Sequence, residues 1–223
     1  MKKIVSLATC LALLGASTSA SAQFGGLGPK LPGSGGGGGA SSEAGDVDGY
    51  LARSTETAQI MMTSIAILEY ARGSQKDMAA LKAQIGTIQS KKDPKELNAY
   101  KTSIEPQTKA LNDDTNAAAE IQASYQKASA QEKSLISAAV FNMFIAVPRA
   151  VKLAKDGPNL VKGLGSNPAN LGKIGKIKGA VDLFIYQVGA TTKFAGTLPK
   201  LMSAVKVQTP SDPQAAKAQA ISL

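Results

Sequence analysis

The sequence lacks several residue types on which enzymes most often depend. Its 223 residues include no His, no Trp and one Cys, and only 4% are aromatic. Without His, the commonest general base and the commonest metal ligand are missing. One Cys allows neither an intramolecular disulfide nor a Cys–His nucleophilic pair. We therefore predict no catalytic, cofactor or metal site, and we expect the protein not to be an enzyme.

The N-terminal segment carries an export pattern. Lys2-Lys3 precedes an apolar run over residues 4–15, and an Ala-x-Ala cleavage pattern ends at Ala22. These features predict a secretory signal peptide over residues 1–22. A lipoprotein site at Cys10 is disfavoured because nine preceding residues are too few for the basic and apolar regions of such a signal. We expect an exported protein, periplasmic or extracellular.

Two further segments predict flexible chain. Residues 23–45 contain ten glycines and two prolines, so they cannot bury enough apolar surface to offset the entropy of ordering. They predict a disordered Gly-rich tether between the signal peptide and the folded part. Residues 208–223 carry turn and disorder signals and predict a flexible tail.

Between these segments the apolar residues recur at spacings of three and four. This periodicity indicates an all-α fold, a multi-helix antiparallel bundle of about five to seven helices, with almost no β-sheet. The bundle is predicted over residues 46–155, and its first helix is an amphipathic one over 46–72. The predicted core is Leu51, Met61, Ile65, Leu68, Leu81, Ile85, Leu111, Ile121, Val140 and Phe144.

Caps and prolines predict where the helices begin and end. Ser74, Asp93-Pro94 and the Ser129/Glu132 capping box each predict a helix start. Pro106 predicts a kink or a restart in a helix that otherwise continues to residue 125, and Pro148 predicts a kink in the fourth helix. Gly157-Pro158 predicts the end of the fourth helix, which is expected to be the buried centre. Its most apolar part, residues 135–147, is only 13 residues long, so no transmembrane segment is expected.

Positive charge is concentrated in the C-terminal part. Residues 23–140 hold 12 basic and 13 acidic residues, whereas residues 141–223 hold 11 basic and 3 acidic, a net +8. Residues 156–207 are therefore predicted to be a basic Gly/Lys-rich helical region, packed on or appended to the bundle. Its main helix is expected near 168–196, starting at Asn167-Pro168, and a short last helix starts at Thr197. Such an asymmetry indicates an anionic partner for one region.

The residues predicted to bind an anionic surface lie in this region. They combine lysines with apolar neighbours, as cationic interfacial helices do: Lys162, Lys173, Ile174, Lys176, Ile177 and Lys178. Gly175 and Gly179, four residues apart, suit a close approach of two helices. The alternative is an ordinary bundle helix with a solvated lysine face. The burial of the apolar side chains distinguishes the two interpretations. An exposed apolar face favours membrane binding, and a buried one favours a scaffold.

Three functions remain open on the sequence. The first is a non-enzymatic helical interaction module with an unknown protein partner, in the cell envelope or outside the cell. The second is a peripheral binder of an anionic membrane or envelope polymer through the basic C-terminal helices. The third and least favoured is a hydrolase that uses Asp, Glu, Ser or Lys. Nucleic acid is not an expected partner, since basic and aromatic residues do not alternate in this exported chain.

Overall fold

The computed structural model describes residues 47–73, 77–165 and 168–223, which form seven α-helices without any strand. This result confirms the all-α bundle. The predicted signal peptide, the tether and the caps Ser74 and Asn167 lie outside the described residues. The helices are α1 (Val47–Arg72), α2 (Met78–Ser90), α3 (Pro94–Asp113), α4 (Ala117–Lys127), α5 (Ala130–Leu164), α6 (Leu171–Ala195) and α7 (Leu198–Ala204), with a 3-10 turn at Pro168–Asn170.

Helices α1 and α5 share the centre of the bundle. α5 packs against α1 and α6, and α6 also packs against α3. All eight residues of α1 from Met61 to Leu68 are buried. The amphipathic stripe predicted for α1 is therefore wrong in its second half, since a helix buried on every side belongs to the interior. The sequence predicted a buried centre at α5, and α1 shares this position.

The predicted core residues lie in the core that the helices form. Eight of the ten are buried, and Leu51 and Phe144 are half-buried and pack against the others. Ile177, Leu183 and Phe184 of α6 belong to the same cluster as the residues of α1 and α5. The basic region thus contributes its own apolar side chains to the bundle interior.

Side-chain caps fix the start of several helices. The Asp93 carboxylate accepts hydrogen bonds from the backbone amides of Lys95 and Glu96 at 3.0 and 3.1 Å. Ser129 and Glu132 form the predicted capping box at the start of α5. α2 begins later than predicted, because Asp77 is its N-cap and accepts a bond from the Ala80 amide at 2.9 Å.

Two further helix boundaries differ from the prediction. Pro106 lies inside α3, which ends instead at Asp113, and α4 begins at Ala117. α5 runs through both Pro148 and Pro158 to Leu164, so Gly157-Pro158 does not end it. The predicted boundary between residues 155 and 156 consequently falls inside a helix.

Packing at Gly157 explains why α5 continues past this point. A Cβ atom built on Gly157 would lie 2.3 Å from Val181 Cγ2 and 2.7 Å from the Tyr50 hydroxyl oxygen. That hydroxyl donates a 3.0 Å hydrogen bond to the Leu153 carbonyl, one turn earlier on α5. α1, α5 and α6 therefore meet at one glycine, and tertiary contacts override the local helix-breaking signal.

α5 is also the one helix in the described ranges that is long and apolar enough to cross a membrane. Its 35 residues exceed the apolar segment on which the sequence argument rested, so length does not exclude a span. The most apolar window of α5 is 61% buried inside the bundle. Core helices of soluble proteins have the same property, so the finding is weak evidence for a membrane span.

The C-terminal tail lies along α5. Asn142 and Gln219 form a reciprocal pair, in which the Asn142 side chain donates to the Gln219 carbonyl at 2.9 Å and accepts from its amide at 2.7 Å. The Arg149 guanidinium donates to the carbonyls of Pro213 and Ala216. The segment predicted as a flexible tail is thus hydrogen-bonded along its length to polar residues of a mostly apolar helix.

Replacement of Gly157 by Ala should destabilise the fold. We expect Gly157→Ala to lower the free energy of unfolding by roughly 1–3 kcal/mol, because the methyl group overlaps Val181 and Tyr50. Gly163→Ala on the same helix is the control, since its Cβ meets nothing within 4 Å. Urea denaturation measures both. Equal effects of the two substitutions would contradict the proposed contact.

The Tyr50 hydroxyl should make stability depend on alkaline pH. Burial raises the pKa of Tyr50 to about 12 from an ordinary 10.0. The neutral phenol therefore stabilises the folded state fully below pH 10, and that contribution is lost as the pH rises through 12. We expect the free energy of unfolding to fall more steeply over this interval in the native protein than in Tyr50→Phe. Other groups that titrate in this range contribute equally to both proteins, so the difference between them reports on Tyr50. Parallel curves of unfolding free energy against pH would refute the role of Tyr50.

Candidate functional site

The predicted surface-binding residues do not form one exposed face. Lys162 and Lys178 are exposed, Ile174 is half-buried, and Ile177 is fully buried at 0% exposure. Ile177 packs in the core, so in this fold its side chain is not available to enter a membrane. The predicted set is therefore divided between the surface and the interior of the bundle.

Two of the predicted lysines bind acidic residues of the bundle. Lys173 Nζ lies 3.0 Å from the Asp48 carboxylate on α1, and Lys176 Nζ lies 3.1 Å from the Asp93 carboxylate at the start of α3. Burial alone would raise the pKa of Asp93, but the backbone amides of Glu96 and Lys95 and the Lys176 ammonium lower it overall. Both lysines are therefore already paired within the fold and are less available to an anionic surface.

The two glycines of the predicted helix-approach pair have different surroundings. A Cβ on Gly179 would lie 3.3 Å from the Lys95 Cα, so Gly179 permits a close contact between α6 and α3. A Cβ on Gly175 would meet nothing within 4 Å. The close helix approach predicted from the pair is therefore made within this chain by Gly179, and Gly175 faces open space.

The outward side of α6 carries the exposed apolar residues. Leu171 and Ile185 are 65% and 62% exposed, and they are the large hydrophobic residues of the described chain that stand out as exposed. They are 14 residues apart, about four helical turns, so they lie on the same side of the helix. Gly175, Lys178 and Asp182 are exposed between them. This face offers apolar contacts flanking a pair of opposite charges.

Sequence reasoning missed this face, although its signal was present. Neither Leu171 nor Ile185 is among the residues predicted to bind a surface, whereas Ile177 is. Leu171 and Ile177 are six residues apart, which places them about 120° apart around a helix. An angular plot of the apolar residues would have separated the two sides.

A charged cluster lies at the C-terminal end of α1. The Arg72 guanidinium, whose side chain is 10% exposed, donates to carboxylates of Glu69 and Glu120 at 2.9 Å, to Asp114, and to the Ala110 carbonyl at 3.0 Å. Burial raises the pKa of Glu69, and the adjacent Arg72 opposes that shift. The cluster joins α1 to the junction of α3 and α4. Across residues 47–73, 77–165 and 168–223, no group of acidic residues has an arrangement suited to a metal ion.

Removal of the Arg72 cation should destabilise the bundle. Arg72→Met leaves three carboxylates close together, and we expect a loss of roughly 2–3 kcal/mol at neutral pH. This is less than a fully buried pair would cost, since Asp114 and Glu120 are partly exposed. The loss should shrink in acid, because burial raises the pKa of Glu69 and its protonation removes one of the three charges. Lys109→Met, which removes an exposed pair with Glu105, is the control and should change thermal unfolding little.

Comparisons with known proteins do not assign a role to the outward side of α6 or to the Arg72 cluster. No protein-family model matches the chain, and neither a curated protein nor a solved structure is significantly similar to it. The functional argument therefore rests on the chemistry of the surface itself.

Proposed function

We propose that this chain is an exported, non-enzymatic α-helical interaction module that acts in the cell envelope or outside the cell. It binds a protein partner through the outward side of α6. The observation that carries this proposal is the exposure of Leu171 and Ile185 on one side of a helix whose opposite side is buried in the bundle. The two side chains lie about 21 Å apart along one side of the helix, so they offer two separate apolar anchors to an extended partner such as a second helix.

Core packing holds α6 in a fixed orientation, since Ile177, Leu183 and Phe184 lie in the bundle interior. The ion pairs of Lys173, Lys176 and Lys193 add little to this, because the three lysine side chains are 45–73% exposed. The Asn112 side chain accepts hydrogen bonds from the backbone amides of Lys193 and Phe194 at 2.9 and 3.4 Å. A face held in place before binding loses less conformational entropy when a partner docks.

The second candidate is a peripheral binder of an anionic membrane or envelope polymer. The net charge of +8 over residues 141–223 favours it, as does the position of Lys178 beside exposed apolar residues. Its support is reduced by the burial of Ile177 and by the ion pairs of Lys173 and Lys176. The interaction module is preferred because it needs no rearrangement of α6.

Site-specific photo-crosslinking in the cells that produce the protein tests the proposal. A photoreactive amino acid replaces Ile185, and the control carries it at Gln122, an exposed residue of α4. We expect irradiation to convert the Ile185 variant into a discrete protein adduct and to leave the Gln122 variant unchanged. Adducts at both positions, or at neither, would contradict the interaction module.

Vesicle co-sedimentation separates the membrane alternative. The probe is a vesicle containing phosphatidylglycerol, compared with one of phosphatidylcholine alone. Binding that is selective for phosphatidylglycerol and is lost in Lys162→Gln/Lys178→Gln would replace the interaction module with the membrane function. Absence of binding to either vesicle, together with the Ile185 adduct, would support the interaction module.

A further inference from the structure

The exposed residues on the outward side of α6 follow a regular spacing. We call this set the outer stripe and define it as Leu171, Gly175, Lys178, Asp182, Ile185 and Gly189. All six are exposed, and successive members are four, three, four, three and four residues apart. This is the alternation of a heptad seam, the pattern by which one helix packs along another. The stripe covers 18 residue steps, about 27 Å of helix.

The outer stripe has no partner within the described chain. Neither Lys178 nor Asp182 forms an ion pair among the residues that the structure describes, whereas the other three lysines of α6 are paired with Asp48, Asp93 and Asp113. A Cβ on Gly175 or Gly189 would meet nothing within 4 Å. These glycines are not needed for packing inside the bundle, and each lowers the intrinsic stability of the helix.

The outer stripe is complementary to a second copy of itself that runs in the opposite direction. Its members lie in pairs at equal distances from residue 180, with Leu171 and Gly189 nine residues away on either side. Gly175 and Ile185 are each five residues away, and Lys178 and Asp182 are each two. When two copies of α6 pack antiparallel about residue 180, every large apolar side chain meets a glycine of the other copy. Every lysine meets an aspartate.

The charges select this orientation over a parallel one. In a parallel, in-register pair, Lys178 would face Lys178 of the other copy, and Asp182 would face Asp182 of the other copy. The two Leu171 side chains would also face each other, whereas the positions where Gly175 and Gly189 face their own copies would contain no side chain. The antiparallel arrangement replaces two like-charge contacts with two opposite-charge contacts and fills each layer with one large and one small residue.

We propose that a second copy of this chain occupies the outer stripe, so that two molecules associate antiparallel through α6 about a two-fold axis at residue 180. The contact is isologous, with each residue facing its complement on the other copy, as two-fold dimers require. It rests on the proposed function and identifies the protein partner as the chain itself. A single helix pair buries less area than a standard interface, so the dimer is weak, with a Kd on the order of micromolar or above.

Charge-reversal variants, measured alone and mixed, test the pairing of Lys178 with Asp182 of the other copy. Lys178→Asp places four carboxylates at the axis of a homodimer, and Asp182→Lys places four ammonium groups there. We expect each variant alone to dimerise at least about tenfold more weakly than the native protein in analytical ultracentrifugation. An equimolar mixture should regain the dimer, because each layer then pairs opposite charges. The double variant should also regain it.

Matched controls change the same net charge elsewhere on the surface. Lys200→Asp on α7 and Glu56→Lys on α1 replace exposed residues outside the outer stripe. Both should dimerise like the native protein. Weakening by the controls as much as by the stripe variants would show that net charge, rather than the stripe, governs association and would overturn the proposal.

Engineered cysteines test the orientation. In a Cys10→Ser background the chain has no other thiol, so each introduced cysteine reports one position. Leu171→Cys and Gly189→Cys should form a mixed disulfide when combined, because the two positions face each other. Neither should cross-link efficiently with itself, since identical positions lie about 27 Å apart in the antiparallel dimer. A preferred Leu171→Cys homodimer would indicate parallel packing and contradict the proposal.

The results separate this inference from the proposed function. A purified protein that stays monomeric at millimolar concentration overturns the self-association. If the photo-crosslinked adduct at Ile185 then contains a different protein, the interaction module stands without the dimer. Monomeric protein without any adduct overturns both. An adduct of twice the chain's mass that contains only this sequence supports both.

Discussion

The close contact of three helices at Gly157 is the constraint on which the rest of the structure depends. The Tyr50 hydroxyl and the Val181 side chain lie where any larger residue of α5 would place its Cβ. Because this contact fixes α6 against α1 and α5, it also determines which side of α6 is buried and which is exposed. The geometry of the outer stripe thus follows from packing on the opposite side of the same helix.

The elements that could be predicted from the sequence are those fixed by local chemistry. The Asp93 cap and the Ser129/Glu132 box involve residues within one turn of each other, and both were located correctly. The core residues followed from helical periodicity, because burial on one side repeats every three or four positions. Local signals and tertiary structure agree at these places.

The remaining features depend on contacts between distant parts of the chain. Gly157-Pro158 has every local property of a helix end, yet Tyr50, more than a hundred residues earlier, packs against it. Asn142 is a polar residue in the most apolar part of α5, and its role depends on Gln219, which lies 77 residues later in the chain. Spacing rules apply to residues within a short window of sequence, so they cannot predict contacts between residues this far apart in the chain.

The candidate site shows the same limit in the distribution of charge. A net charge of +8 over residues 141–223 suggested a surface that attracts anions, but net charge does not say where each ammonium group points. In the fold, Lys173, Lys176 and Lys193 form ion pairs with Asp48, Asp93 and Asp113, so their charge is already compensated within the bundle. Lys178 alone among the α6 lysines remains in the outer stripe, two residues from residue 180 and balanced by Asp182 on the other side. The local pattern at the exposed face is therefore neutral and self-complementary, which favours recognition of a matching protein surface over adsorption to an anionic one.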